Sequence, residues 1–218
     1  MIPFRAPGEV EAALSTVVAH LSRRGVIAGP TETVYGLGST TDPVAVDRVL
    51  ETKGRPPGKP VLLLVTGRRM LAGVGLRLTE AGERFAAAFW PGPLTLVLPG
   101  GERSLPDSLR GPEGGIAVRW TSHAGAARLV EVLGSPITST SANRPGMPPA
   151  LDASEVQEAF GAEVSRGALL VLDAGRLVPS APSSLVDCTG PAPRLLREGA
   201  VPAADLRSVV PSLVTDPA

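Results

Sequence analysis

This chain is poor in the residues that carry most covalent and metal chemistry. Cys188 is its single cysteine, which excludes an intrachain disulfide and a thiolate zinc site. His20 and His123 are its only histidines, so a His-rich metal centre is excluded and a Ser–His–Asp arrangement has few ways to form. His20 lies within an amphipathic helix pattern and His123 opens another; both read as surface or capping residues. Aromatic residues make up 3%, too few for a platform on which single-stranded bases stack. Neither sign of charge is in excess, with 21 Lys and Arg against 21 Asp and Glu, whereas a protein that coats a nucleic-acid backbone is normally basic. No apolar run reaches membrane-spanning length, and Met1-Ile2-Pro3-Phe4-Arg5 lacks the apolar core of a signal peptide. A soluble, cytoplasmic protein with no membrane partner is expected. Neither a Walker P-loop nor a G-x-G-x-x-G follows a strand, so the standard nucleotide folds are not indicated.

Glycine and proline, by contrast, are abundant at 25 and 23 of 218 residues. They punctuate a chain in which helix and strand patterns alternate. Helices are predicted over 9–24, from Asp42-Pro43 to Lys53, over 79–89, 123–133 and 153–160. Short apolar runs at 26–28, 61–65, 94–98, 116–120, 136–138, 169–173, 184–187 and 195–197 predict strands. The segment 99–115, rich in Gly, Pro and charge, reads as a surface loop. The pattern predicts an α/β fold with a mixed sheet, because some connections are too short for a parallel crossover. One domain over 1–205 with a tail at 206–218 is expected.

The chain is organised around residues 29–60. Gly29-Pro30-Thr31-Glu32-Thr33-Val34-Tyr35-Gly36-Leu37-Gly38 follows the strand at 26–28, and its glycines and proline predict a tight turn that leaves the Thr31, Thr33 and Tyr35 hydroxyls available. Lys53, Arg55 and Lys59 then stand among Pro56, Pro57, Gly58 and Pro60. Prolines stiffen such a segment, and cations on a rigid loop suit a polyphosphate. From Thr52 to Thr79 there is no Asp or Glu, while Lys53, Arg55, Lys59, Arg68, Arg69 and Arg77 all fall there. A one-signed segment in a balanced chain points to an anionic partner.

Three polar clusters, 31–35, 139–143 and 180–184, sit at the ends of predicted strands, where binding sites form. Each alone is equally a turn that satisfies its own backbone. Arg119, at the end of Ile116-Ala117-Val118, requires either an anionic ligand or a structural ion pair. Arg197, closing Leu195-Leu196, allows the same two readings.

Taken together, P-T-E-T-V-Y-G-L-G at 30–38, K-G-R-P at 53–56, W-P-G-P-L-T at 90–95, Val118-Arg119, S-T-S-A-N at 139–143, P-S-S-L-V-D at 182–187 and L-L-R-E-G at 195–199 resemble the YrdC-like L-threonylcarbamoyladenylate synthases, in that family's order. The resemblance implies a twisted open sheet with a concave basic cleft. It also implies condensation of L-threonine, bicarbonate and ATP to L-threonylcarbamoyl-AMP and pyrophosphate, for threonylcarbamoyl-adenosine formation on tRNA. By motif, Thr33, Arg119, Ser139 and Ser183 would hold threonine, with Arg119 on its carboxylate. Lys53, Arg55, Lys59, Ser141, Asn143 and Arg197 would hold ATP, with Lys53 and Arg55 neutralising charge during catalysis. No protein metal site is implied; Mg2+ would be carried by the nucleotide. A tRNA threonylcarbamoyl transferase complex would take the product, and contact with tRNA or RNA is possible for such a fold. Some members have His where Leu64 stands and Thr where Gly115 stands, and the large C-terminal extension of longer members has no counterpart, which implies the short type. Two other functions fit a basic-faced fold of this kind: RNA binding without synthesis, and carbamoyl transfer from carbamoyl phosphate in a much longer chain.

Overall fold

Several helices begin where a polar side chain accepts from the first turn, which replaces hydrogen bonds that a helix start leaves open. Asp42 accepts from Val44 and Ala45 N–H, Thr79 from Gly82 N–H and Asp152 from Glu155 N–H. His123 does so through its ring, Nδ1 accepting from Ala126 N–H at 3.2 Å. The computed structural model describes residues 1–54, 61–102 and 104–215. Within them the order is β1 (Ile2–Pro3), α1 (Pro7–Ser22), β2 (Val26–Gly29), β3 (Gly36–Gly38), α2 (Pro43–Lys53), β4 (Leu62–Val65), α3 (Arg68–Gly73), α4 (Glu80–Phe89), β5 (Leu94–Leu98), β6 (Ile116–Trp120), α5 (Ala124–Leu133), β7 (Ile137–Ser141), α6 (Ala153–Ala159), α7 (Gly161–Ser165), β8 (Leu169–Asp173), β9 (Ser184–Asp187), β10 (Arg194–Arg197), α8 (Ala203–Val209) and β11 (Val214–Thr215).

The strands form one open mixed sheet in the order β1-β8-β2-β3-β7-β4-β6-β5-β9-β10-β11. Its centre is antiparallel at β3–β7 and β7–β4 and parallel at β4–β6. Strand alternation divides each strand between the two faces. One face carries Leu63, Val65, Leu94, Leu96, Leu98, Ile116 and Val118, buried against residues of α2, α3, α4 and α8, with Val26, Ala28 and Leu37 continuing it under α6 and α7. The opposite face carries Ile27, Leu64, Ile137 and Leu172 under α1 and α5. That second cluster takes no side chain from β5, β6, β9 or β10. Among the described residues, half of one sheet face is therefore left out of the helix-covered apolar cluster, and Arg119 of β6 and Thr95 of β5 lie on that half.

Two local readings of the sequence require correction. The segment 99–115 is not a plain surface loop: a 3-10 turn at Asp107–Leu109 drives Leu105 and Leu109 into the core, at 6% and 0% exposure. Its charge and Gly content masked two apolar anchors spaced four apart. The strand predicted at 136–138 runs on to Ser141, because Ser and Thr pair in a ladder as readily as apolar residues when both neighbours are present. Arg68, placed by the sequence in a cationic stretch, opens α3 and pairs with Glu83.

The expected boundary between 205 and 206 falls inside α8. Leu206, Val210 and Leu213 are buried in the same cluster as the β5 and β6 side chains. Truncating Leu206 to alanine is expected to destabilise the fold by about 2–5 kcal/mol, as for other fully buried leucines. Urea unfolding that shows a lower midpoint with an unchanged slope would bear this out. A wild-type midpoint would mean that the C-terminal segment adds nothing to the core.

Candidate active site

Two glycines set the geometry of the site's middle. β3 lies against β7 with Gly36 opposite Ser141 and Leu37 opposite Thr140. A Cβ on Gly38 would lie 2.3 Å from the Thr138 carbonyl oxygen, and one on Gly36 would lie 2.7 Å from Ser139 Oγ. Only a residue without Cβ permits this approach, and it leaves the space before the Ser139 hydroxyl open. The turn that precedes β3 closes on itself. Thr31 Oγ1 donates to the Val34 carbonyl at 2.7 Å and accepts from Thr33 and Val34 N–H. The Tyr35 hydroxyl, expected to be available, is not. It is fully buried, donates to the Gly175 carbonyl at 2.8 Å and accepts from Ala174 N–H at 2.9 Å. Burial pushes its phenol up to about 12, so it serves as a core anchor.

Arg119 projects from β6 on the uncovered half-face, beside Leu64 of β4 in the parallel register. It is 3% exposed. Its Nη1 donates to Thr33 Oγ1 at 3.3 Å, and its Nε faces Glu32 Oε1 at 3.5 Å without a hydrogen bond. Burial draws the guanidinium below its ordinary pKa, Glu32 works against that, and the charge of Arg197 adds to it. Arginine stays charged regardless. Arg197 in turn donates to the Ser183 carbonyl through Nε at 3.1 Å and Nη2 at 2.8 Å. Ser183 Oγ meets Thr95 Oγ1 of β5 at 2.8 Å. Arg119 has the ion-pair partner that one of its two readings required, and that pair is not closed by a hydrogen bond.

A second group stands at the far end of β7. Lys53, the last residue of α2, is 6% exposed. Its Nζ donates to the Ser141 and Asn143 carbonyls, both at 2.7 Å, to Ser141 Oγ at 3.2 Å and to Asn143 Oδ1. The cation thus ties α2 to the segment leaving β7. Arg55 and Lys59 lie outside the described residues. Ser139 and Ser141, two apart on one strand, share a face and connect the Lys53 group with the turn that bears Thr33.

The three polar clusters converge. Gly36 pairs with Ser141, and Ser180 Oγ donates to the Thr33 carbonyl at 3.4 Å. Sequence reasoning missed Glu32, Thr95 and Thr121. Glu32 accepts from Thr121 Oγ1 and flanks Arg119; its signal was a lone carboxylate inside a run of threonines and glycines. His20 and His123 both hold backbone: the His20 ring meets the Val26 carbonyl at 2.9 Å. Burial lowers the His123 pKa against the opposing pull of Glu32, which keeps its ring free to accept in the α5 cap. Cys188 is buried in the core with its thiol pushed up to about 12 by burial, so it supplies no nucleophile. Among the described residues no group of three or more His, Cys, Asp or Glu could hold a metal ion, and no helix is long and apolar enough to cross a membrane.

A family model for Sua5, YciO and YrdC, described as telomere recombination, matches residues 19–199. A threonylcarbamoyl-AMP synthase of Pyrococcus abyssi is 36% identical over 204 residues, 93% of this chain and 58% of the relative. One of Thiobacillus denitrificans is 39% identical over 170 residues, 78% of this chain and 87% of the relative. The chain thus spans little more than half of the archaeal relative and most of the bacterial one. The solved structure of P. abyssi Sua5 complexed with L-threonine superposes with a TM-score of 0.88 at 32% identity, over 100% of this chain and 62% of that one. The Escherichia coli YciO structure gives 0.80 at 25% identity, over 94% and 97%. With a family model matched over most of its length and relatives of 36–39% identity, this chain belongs to the Sua5, YciO and YrdC family.

Proposed function

We propose that this protein is a threonylcarbamoyl-AMP synthase, converting ATP, L-threonine and bicarbonate or CO2 into L-threonylcarbamoyl-AMP and pyrophosphate. The observation that carries this reading is Arg119: a buried cation on an uncovered sheet face, hydrogen-bonded to Thr33, incompletely met by Glu32 and repelled by Arg197. Arg119 faces a single carboxylate without closing a hydrogen bond to it, and a substrate carboxylate would complete its partners.

Arg119 would take the threonine carboxylate, with the Thr33, Ser139 and Ser183 hydroxyls on its polar groups. Ser141, Asn143 and Arg197, with Arg55 and Lys59, would hold the nucleotide in a basic cleft, and Lys53 with Arg55 would neutralise the developing charge. The amine is its own nucleophile: it attacks carbon dioxide, a carbamate oxygen then attacks the α-phosphorus, and pyrophosphate leaves. Catalysis is then alignment and charge neutralisation, and alignment alone contributes roughly 7–11 kcal/mol in favourable cases. The cleft offers cations and hydroxyls rather than a set of carboxylates, so Mg2+ would arrive on the triphosphate. The product would pass to a tRNA threonylcarbamoyl transferase complex in the cytoplasm, with direct RNA contact as a further element of the reading.

Pyrophosphate release from ATP should require threonine and bicarbonate together and fall to background when either is omitted. Release that ignores threonine would reject the assignment. A gel shift of tRNA across salt concentrations, run beside it, tests the RNA contact separately.

A further inference from the structure

Glu32 stands in the turn between β2 and β3 with a side chain 12% exposed. One carboxylate oxygen is fixed, accepting from Thr121 Oγ1 at the exit of β6. The other, Oε1, is buried and has no hydrogen-bond partner; the Nε of Arg119, 3.5 Å away, has none either. Buried polar atoms of an ion pair are normally closed by hydrogen bonds, and each one left open costs about 1–3 kcal/mol. Two such atoms side by side, on an acid and a base, lack a partner that donates to one and accepts from the other. An α-amino acid zwitterion offers both on adjacent atoms: an ammonium for Glu32 and a carboxylate for Arg119.

We propose that Glu32 binds the substrate ammonium and removes one of its protons, which makes the amine nucleophilic. The proposal rests on the synthase reading above. The N–H bond breaks with its electron pair left on nitrogen, and the proton goes to the Glu32 carboxylate. The freed pair forms the N–C bond to carbon dioxide while one C=O pair moves onto oxygen. The second nitrogen proton leaves to solvent, and Glu32 returns its own proton to water after the product departs. The groups facing Glu32 are Arg119 from β6, Thr121 beyond it and His123 at the start of α5; Arg197 acts on the pair through Arg119. The guanidinium cations are already protonated and can accept no proton, and the His123 ring is committed to the α5 cap. Glu32 is therefore the acceptor the site provides.

Glu32→Gln tests this because an amide keeps the size and can still accept from Thr121, but cannot neutralise an ammonium or accept its proton. Circular dichroism and a thermal melt establish that the variant is folded. Threonine titration by calorimetry should show binding weakened about 10- to 100-fold, the loss of one charge-assisted hydrogen bond. ATP binding should be unchanged. Threonine-dependent turnover should fall about 10²- to 10⁴-fold. Parental threonine affinity and turnover in the variant would overturn the proposal and leave the synthase reading standing. A parent chain that binds no threonine would overturn both. Should the variant unfold, Thr121→Val, which frees the fixed oxygen but keeps the charge, is to be measured instead: threonine binding within about threefold of the parent supports Glu32 charge as the determinant, and complete loss overturns it.

Discussion

Replacement of Arg119 by alanine is expected to lower kcat/KM for threonine roughly 10²- to 10³-fold while ATP affinity is retained, because truncating one partner of a buried charge pair typically costs about 3–4 kcal/mol. Part of any activity loss could come from the fold, since the substitution leaves Glu32 buried without its cation. A buried pair broken on one side costs about 3–5 kcal/mol of stability. The double replacement Arg119→Met with Glu32→Gln separates the two effects. It removes both charges, fills the volume with an apolar stem, and is expected to recover most of the lost stability without recovering threonine use. Urea unfolding and threonine-dependent pyrophosphate release on the same preparations give the comparison. Recovery of activity in the double variant would mean that Arg119 serves the fold alone, and the amino-acid site would then lie elsewhere.

Arg119 also illustrates what could be read before any coordinates. Its position on an apolar strand announced that a buried cation needed an anion, and the family resemblance implied a substrate carboxylate as one candidate. The sequence could not choose between a ligand and an ion pair, because the choice depends on Glu32, which is close in space only after β2, β3, β7, β4 and β6 have assembled side by side. Helix starts were legible at Asp42, Thr79 and Asp152 since a cap is a local interaction between residues two or three apart. The short β3 was not, because Gly-Leu-Gly has no strand signal of its own and pairs only because its missing Cβ atoms let β7 approach. Tyr35 was misread for a related reason: a turn predicts exposure, but the partners of this phenol lie about 140 residues away. The polar clusters were visible as composition at strand ends; the unclosed Glu32–Arg119 pair was not, since openness of a pair is a matter of ångströms.

Lys53 is where the two descriptions of one residue make different forecasts. As a cation beside a triphosphate, its loss should reduce turnover, about 10²- to 10³-fold where a preorganised donor is removed from a developing charge. As a clasp, its Nζ supplies donors to the Ser141 and Asn143 carbonyls at 2.7 Å each, and it sits at the negative end of α2, where a cation is favoured. Losing that clasp should cost about 1–3 kcal/mol for each carbonyl that water does not reach. Lys53→Met retains the apolar stem and removes only the charge and donors, so it is the cleaner probe. We expect both losses together: a lower urea midpoint, and a raised ATP KM with reduced kcat, since Ser141 and Asn143 are themselves candidate nucleotide contacts and move when their tether goes. Lys53→Arg should restore stability only in part, because a planar fork does not fit the compact set of acceptors that one ammonium satisfies. A variant with lowered stability but parental ATP kinetics would confine Lys53 to the clasp and leave charge neutralisation to Arg55 and Lys59. Parental stability with reduced turnover would place its ammonium on the phosphates instead.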